Sequence, residues 1–187
     1  MESVNMRIRA LRGFTIFELV AIAVVSALGV ATKPIVVPLV HIITGPLFIP
    51  GGAIAGGFYM LWIILGIGMV KKRGTGTLIG IIQGLLVIVT GAMGTHGIMS
   101  IISYTLPGLA ADLVFVLAGK RNFNILHFMA GCMAANVTGT LISNAMFFRL
   151  PFETLLLLLS GAALSGALGG VLAWNILGAM ERLNIEL

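Results

Sequence analysis

The chain has 187 residues, of which 59% are hydrophobic and only 9% are charged. A soluble domain of this length could not bury so much apolar surface in one core, so the mean hydropathy of +1.13 predicts an integral membrane protein. The net charge of +5 does not indicate nucleic-acid binding, because the basic residues stand in short clusters between apolar runs.

Phe14–Thr32 is the first apolar run and predicts the first transmembrane helix. At 1.5 Å per residue it would be about 28 Å long, close to the thickness of the hydrocarbon core and too long for a signal peptide. We expect this helix to end at Lys33 and Pro34. Because prolines punctuate the apolar segment Ile35–Ile49, we expect it to form a re-entrant or capping segment that lies on protein and not on lipid.

Five further apolar runs predict five further transmembrane helices. We place them at about Gly51–Val70, Gly76–Met93, Gly97–Gly119, Ile125–Phe147 and Thr154–Met180. Residues 94–97 would form the turn before the fourth helix, and Pro107 predicts a kink or a late start within it. Residues 1–187 are therefore expected to form a single all-α domain, an integral membrane bundle of six transmembrane helices with a capping segment after the first.

The basic residues at the ends of these runs predict the orientation of the bundle. With the N-terminus inside the cell, nine of the 11 Lys and Arg residues lie on the cytoplasmic side, as the positive-inside rule requires. Only Lys33 and Arg149 lie outside. We therefore expect a multi-pass protein of the cell membrane with both termini in the cytoplasm.

Two of the predicted helices carry small residues at every fourth position, which lets another helix approach closely. In the sixth run this stripe comprises Gly161, Ser165, Gly169 and Ala173 and is most simply explained by packing within the bundle. In the first run the stripe comprises Ala23, Ala27 and Ala31, where a family resemblance given below favours contact with a partner protein.

Asp112 is the acidic residue placed most clearly inside a predicted span, with no basic residue nearer than Lys120. Ionisable groups at membrane depth are costly and usually mark a pathway, a pocket or a partner. Asp112 therefore predicts either a ligand contact or a structural hydrogen bond to another helix. Glu18 lies one turn inside the first run and can reach the interface, which favours a structural role.

Amide and aromatic side chains at membrane depth form a set that suits an aromatic, nitrogen-containing solute. Each of them alone is more often an interhelical contact or an interfacial residue. Together with a histidine in the predicted outer turn, the candidate substrate-binding residues are Asp112, Gln83, Asn136, Asn144, Tyr59, Trp62, Tyr104 and His96.

Signatures of metal binding and catalysis are not found in the sequence. His41, His96 and His127 are far apart, and Cys132 is the sole cysteine, so we expect no metal site and no intrachain disulfide. There is no H-E-x-x-H, G-x-S-x-G or G-x-x-x-x-G-K-[ST] motif. We therefore expect no enzyme activity and no cofactor, and the chain cannot couple ATP hydrolysis by itself.

Three stretches carry a resemblance to a known family, in a chain with an alanine-spaced first helix and a proline-rich segment after it. They are Pro50–Trp62, the basic turn Lys71–Arg73 and Gly108–Phe115. The chain resembles the substrate-binding S components of energy-coupling factor transporters, nearest to the group proposed for thiamine or its hydroxymethylpyrimidine precursor. It departs from that group at Asp112, where the group carries a glutamate, and at Gln83, where an acidic residue is expected.

The resemblance implies a membrane receptor that captures a vitamin or vitamin precursor outside the cell. Such a receptor docks on a transmembrane coupling protein driven by two ATPase subunits. Ala23, Ala27 and Ala31 match the family's docking motif, and the capping segment would gate the pocket. Asp112 would lie about 12 Å from the cytoplasmic end at 1.5 Å per residue, deeper than an outward-facing pocket requires.

Two other functions stay open at this point. The small-residue faces also suit a self-sufficient oligomeric channel or carrier for small solutes. An assembly subunit without any small ligand is the third possibility.

Overall fold

The structure, a computed structural model, describes residues 13–47, 50–92, 97–119 and 123–183. Within these ranges the chain forms six α-helices and no β-strand. They are α1 (Ile16–Thr44), α2 (Gly51–Val70), α3 (Thr75–Thr90), α4 (Ser100–Leu117), α5 (Ile125–Ser143) and α6 (Phe152–Arg182). A short 3-10 turn follows α1, and a π-helical turn at Asn144–Phe148 extends α5. The predicted all-α class is confirmed for this part of the chain.

Five of these helices are long and apolar enough to cross a membrane by length and composition. The sixth, α3, has 16 residues and is therefore about 24 Å long, somewhat shorter than a typical hydrocarbon core. The helix predicted at Gly51–Val70 has those bounds in the structure. The described residues thus form a multi-pass helical bundle, and the crossing of the membrane by α3 stays a prediction.

The expected end of the first helix at Lys33 and Pro34 is wrong, because α1 continues without a break to Thr44 with Pro34 and Pro38 inside it. Proline removes a backbone donor and crowds the preceding turn, yet membrane helices tolerate it where side-chain hydroxyls and neighbouring helices compensate. The carbonyls that Pro34 and Pro38 leave without a backbone donor are those of Val30 and Pro34. The Thr32 hydroxyl bonds to the neighbouring Gly29 carbonyl at 3.1 Å.

The segment predicted as a re-entrant cap is therefore mostly the second half of α1. Its apolar side chains do not lie on protein as expected, because Ile35, Leu39, Ile42 and Ile43 are 59–74% exposed. With 29 residues, α1 is about 43 Å long and exceeds the thickness of the hydrocarbon core. The last two residues of the predicted cap, Phe48 and Ile49, lie outside the described residues, as do residues 94–96 of the turn predicted at 94–97.

The fourth predicted helix is likewise continuous. α4 begins at Ser100 and contains Pro107, so the helix does not start at this proline. Pro107 is buried within the bundle and faces Gly139 of α5. Close packing against a glycine leaves room for the proline ring at the contact between α4 and α5.

The centre of the bundle is α2, of whose apolar span 72% is buried, against 28% for α1 and for α6. Glycine makes this position possible, because a side chain at Gly57 would collide with the Ser165 backbone of α6. Ser165 Oγ also accepts a hydrogen bond from the Gly57 N–H at 3.0 Å. Gly169 faces the Gly57 backbone in the same contact. The small-residue stripe of α6 therefore packs within the bundle, as predicted.

Charged contacts join three segments at one end of the bundle, which we call the basic end. Lys72, between α2 and α3, pairs with Glu18 in the first turn of α1 at 2.6 Å, and Lys71 lies 3.8 Å from Glu181 at the end of α6. The start of α1 and the end of α6 therefore lie at the same end. The end of α1, the starts of α2, α4 and α6, and the end of α5 lie at the opposite end.

Candidate functional site

A cavity of about 110 Å³ lies at the end of the bundle opposite the basic end. Five helices contribute to it, because α1 and α5 finish there and α2, α4 and α6 begin there. Its walls combine apolar groups with one ammonium group and several hydroxyl groups. The ionisable and hydroxyl-bearing residues are Lys33, Tyr59, Ser103, Tyr104, Thr140 and Ser143.

Lys33 is the residue at this site that the sequence analysis missed. Its Nζ lies 4.5 Å from the ring centroid of Tyr59 and 3.9 Å from that of Tyr104. Each such cation–π contact contributes about 0.5–2 kcal/mol, depending on how dry the site is. Tyr59 Oη donates to the Gly52 carbonyl at 2.7 Å, which holds its ring in place. Because α1 continues through Pro34, Lys33 stands within a helix wall and not at a helix end.

A second layer of polar groups lies one helical turn deeper than Lys33 and Tyr59. Gln83 of α3 packs directly on Gly29 of α1, where a side chain would collide with the Gln83 amide, and Trp62 of α2 borders the same contact. Trp62 Nε1 and Gln83 Nε2 are both buried without a hydrogen-bond partner within the described part of the chain. An unpaired buried donor costs about 1–3 kcal/mol, so both groups are open to an acceptor.

Four of the predicted site residues are thus brought together around Lys33. Tyr59 and Tyr104 line the cavity, and Trp62 and Gln83 lie in the layer beneath. A lone lysine next to proline in an otherwise apolar run was the available sequence signal for Lys33. The same pattern predicts a helix end at Lys33 and Pro34, and a residue at a helix end is not expected to line a cavity.

Asp112 of α4 lies elsewhere, near the basic end, where its side chain contacts the start of α3. Its two carboxylate oxygens accept hydrogen bonds from Gly76 N at 3.0 Å, Thr77 N at 2.7 Å and Thr77 Oγ1 at 2.6 Å. Gly74, the N-cap residue of α3, has no side chain to satisfy these donors. A carboxylate at a helix N-terminus also interacts favourably with the helix dipole. These contacts favour the structural alternative, and ligand binding by Asp112 stays an untested prediction.

The two predicted asparagines hold helices together. Asn136 Nδ2 donates to the carbonyls of Ala53 at 2.9 Å and Ala162 at 2.8 Å, joining α5 to α2 and α6. Asn144 Oδ1 accepts from Leu150 N at 2.9 Å and so braces the turn before α6. Their use for ligand binding stays untested. His96 lies outside the described residues.

The alanine stripe of α1 is uncovered. Ala23, Ala27 and Ala31 are exposed, and the neighbouring Val20 and Val24 are 56% and 52% exposed. The opposite side of the helix is buried in the bundle at Ile22, Val25, Ser26 and Gly29. This apolar face, which we call the alanine face, is turned to lipid or to another protein.

Comparisons with known proteins add to this geometry. A family model described as "ABC-type cobalt transport system, permease component" matches residues 17–138. A solved structure described as "Crystal structure of an S-component of ECF transporter" superposes with a TM-score of 0.78 and 20% sequence identity, covering 92% of this chain and 88% of that chain. No curated protein has a matching sequence. The fold expected from the resemblance is therefore confirmed, and at this identity the structural likeness concerns the fold alone.

Proposed function

This chain belongs to the family of permease components of ABC-type cobalt transport systems, and from that premise we propose that it is the substrate-binding S component of an energy-coupling factor importer. The observation that carries the proposal is the fold, shared with an S component over 92% of the chain. A role in membrane transport follows from the family. The division of labour between binding and energy coupling is the part that we propose.

The cavity next to Lys33 is the proposed binding site. With the basic end in the cytoplasm, as the positive-inside rule favours, the cavity faces the outside of the cell. Capture from the outside is what an uptake receptor requires. This position is a better candidate than the surroundings of Asp112, whose carboxylate already accepts three hydrogen bonds from α3.

A vitamin or vitamin precursor is the proposed cargo, with thiamine and hydroxymethylpyrimidine-like compounds as the lead. The aromatic side chains of Tyr59, Trp62 and Tyr104 and the amide of Gln83 support a flat, nitrogen-containing solute. Aromatic faces supply stacking area, and the few polar groups fix the orientation of the ligand.

Cobalt, the metal in the family's description, fits the cavity less well than an organic solute. Transition metals are bound by imidazole, thiolate and carboxylate groups, whereas the ionisable side chain lining this cavity is the ammonium of Lys33. No group of three His, Cys, Asp or Glu side chains comes together among the residues that the structure describes. An ammonium group repels a divalent cation.

The alanine face of α1 is the proposed docking surface for a transmembrane coupling protein, which two ATPase subunits would drive. Small side chains let a partner helix approach the backbone closely where lipid provides no hydrophobic force. The exposure of Ala23, Ala27 and Ala31 leaves this surface accessible.

Binding and transport by the purified chain test the proposal. In nanodiscs, a panel of vitamins and precursors is titrated while tryptophan fluorescence is recorded, and we expect sub-micromolar affinity for one member. In liposomes, uptake should require the coupling protein, the ATPase subunits and ATP. Uptake by the chain alone would support the carrier alternative, and failure of the whole panel to bind would sink the receptor proposal.

A further inference from the structure

We propose that the cavity selects a compact, single-ring solute that bears a carboxylate or phosphate group, and that this group pairs with Lys33. The inference rests on the proposed function and adds the chemical class of the ligand. It ranks an acidic single-ring compound above thiamine, which has two rings and a permanent positive charge.

The charge of the site is the first step. Lys33 lines the cavity and is flanked by the faces of Tyr59 and Tyr104. An ammonium group has three N–H donors, and ring faces attract a cation without replacing a hydrogen-bond acceptor. Within the described residues no carboxylate pairs with Lys33. A half-buried cation without an anion is unfavourable, so an anionic ligand would supply the missing partner.

Three of the four acidic residues in the described part of the chain have partners away from the cavity. Glu18 pairs with Lys72 and Glu181 with Lys71 at the basic end, and Asp112 caps α3. Glu153 is exposed on the first turn of α6. The positive charge of the cavity is therefore not balanced from within the described part of the chain.

The neighbouring polar groups are also donors. Trp62 Nε1 and Gln83 Nε2, in the layer beneath Lys33, are buried without an acceptor within the described residues, and Gln83 is only 5% exposed. The hydroxyl groups of Thr140 and Ser143 lie on the cavity wall. The hydroxyl groups can donate or accept, so Lys33 on the cavity wall and the two unpaired donors beneath it are the groups that call for an acceptor on the ligand.

The size of the cavity favours one ring. An apolar protein cavity of roughly 150 Å³ accepts benzene, and this cavity measures about 110 Å³. Because this open cavity is already the smaller of the two, a single ring fills it, and a second ring would have to lie outside it or move its walls apart. Size and charge therefore select against thiamine by independent physical effects.

Two series of probes test the proposal by charge, and in the second series thiamine also tests the effect of a second ring. The first comprises nicotinate, nicotinamide and 1-methylnicotinamide, and the second comprises hydroxymethylpyrimidine phosphate, hydroxymethylpyrimidine and thiamine. In at least one series the anionic member should bind about tenfold more tightly than its neutral and cationic relatives, since hydrogen bonds to charged groups contribute that much.

Three variants tie the preference to one side chain. Lys33→Gln should remove the preference for the anion, and Lys33→Arg should keep it. Arg149→Gln, at an exposed position at the same end of the bundle, should leave the preference unchanged. If Lys33→Gln does not fold, Lys33→Arg and the wild-type probe series still decide, because a neutral or cationic probe that binds as tightly as the anion overturns the proposal.

The remaining outcomes separate this inference from the proposed function. Binding of a vitamin outside both series, with none of the six probes bound, overturns the inference alone. If the wild-type chain binds no member of the vitamin panel and supports no ATP-driven uptake, the proposed function is overturned as well. A lipid phosphate is a second source of the same chemistry, so binding is compared in phosphatidylcholine and phosphatidylglycerol nanodiscs. If the anion preference is present in phosphatidylcholine nanodiscs and absent in phosphatidylglycerol nanodiscs, Lys33 binds a lipid headgroup, and the proposal of a soluble anionic ligand is overturned.

Discussion

Single polar residues in this bundle act through the partners that the fold gives them. Asp112 and Lys33 are both charged groups in apolar surroundings, yet their neighbours differ. Asp112 meets three donors at the N-terminus of α3, whereas Lys33 meets two aromatic rings and a cavity. A satisfied charge fits a structural role, and an unsatisfied one leaves capacity for a ligand.

Replacement of Asp112 tests its structural role. Asp112→Ala should lower the free energy of unfolding by about 1–3 kcal/mol, because buried backbone donors of α3 lose their acceptor. Ligand affinity of the folded protein should change by less than about threefold, since distant sites rarely couple. Thermal unfolding in detergent and fluorescence titration measure both effects.

Glu153→Ala is the control for Asp112→Ala, because Glu153 is an acidic residue exposed on the first turn of α6. This change should leave the free energy of unfolding nearly unaltered. The opposite pattern, unchanged unfolding with lost binding, would return Asp112 to the binding site.

At the level of helices, glycine positions decide which elements can touch. Gly57 lets α2 pack on the Ser165 backbone of α6, and Gly108 lets α4 pack on the Gly76 backbone of α3. The sequence analysis predicted such packing from the stripe in α6, because its spacing depends on one helix alone. It could not identify the opposing residues, since Gly57 and Ser165 are far apart along the chain.

Gly57→Ala should destabilise the bundle by about 1–3 kcal/mol or prevent its folding, as overpacking does in close contacts. Gly178→Ala is the matched control, because among the described residues no atom beyond the neighbouring backbone of its own helix lies within 4 Å of the added methyl group. Alanine is the better helix former, so this change should be neutral or stabilising by up to about 1 kcal/mol. If the two variants unfold at the same midpoint, the close contact between α2 and α6 is refuted.

The continuity of α1 is a further result at this level. Prolines predicted a break at Pro34, and local rules favour one. The helix nevertheless continues to Thr44, where its last turn contacts the start of α2 through His41 and Gly51, and this contact is invisible in the local sequence. The consequence is functional, because a helix that ended at Lys33 would leave that side chain at an interface.

At the level of the molecule, the bundle separates two surfaces. The cavity lies at one end of the bundle, and the alanine face runs along the outside of α1. Substitution on the alanine face should therefore affect docking without affecting ligand binding.

Ala27→Trp should abolish co-purification with the coupling protein and ATP-driven uptake, while ligand affinity stays within about twofold, because a bulky side chain prevents close helix approach. Ala130→Trp places the same side chain at an exposed position of α5 and should keep both activities. Equal loss in the two variants would show that general disturbance of the surface, and not docking, is responsible.

Labelling of introduced cysteines tests the orientation. A membrane-impermeant maleimide should modify Arg149→Cys in intact cells, and Arg73→Cys only after permeabilisation, because the positive-inside rule places the basic end in the cytoplasm. Both positions are exposed, and the native Cys132 is buried, so the unmodified chain should remain unlabelled. The reverse labelling pattern would turn the cavity towards the cytoplasm and contradict uptake from outside.

Composition and the order of apolar runs were sufficient to predict a helical membrane bundle, because the cost of placing a segment in lipid depends mainly on that segment's own residues. The family resemblance correctly predicted the fold of an S component. Tyr59, Tyr104, Trp62 and Gln83 were also recognised from the sequence as candidates. Their grouping around Lys33, and the capping of α3 by Asp112, arise from contacts between residues on different helices. Such contacts depend on packing over the whole bundle, which no local pattern in the sequence encodes.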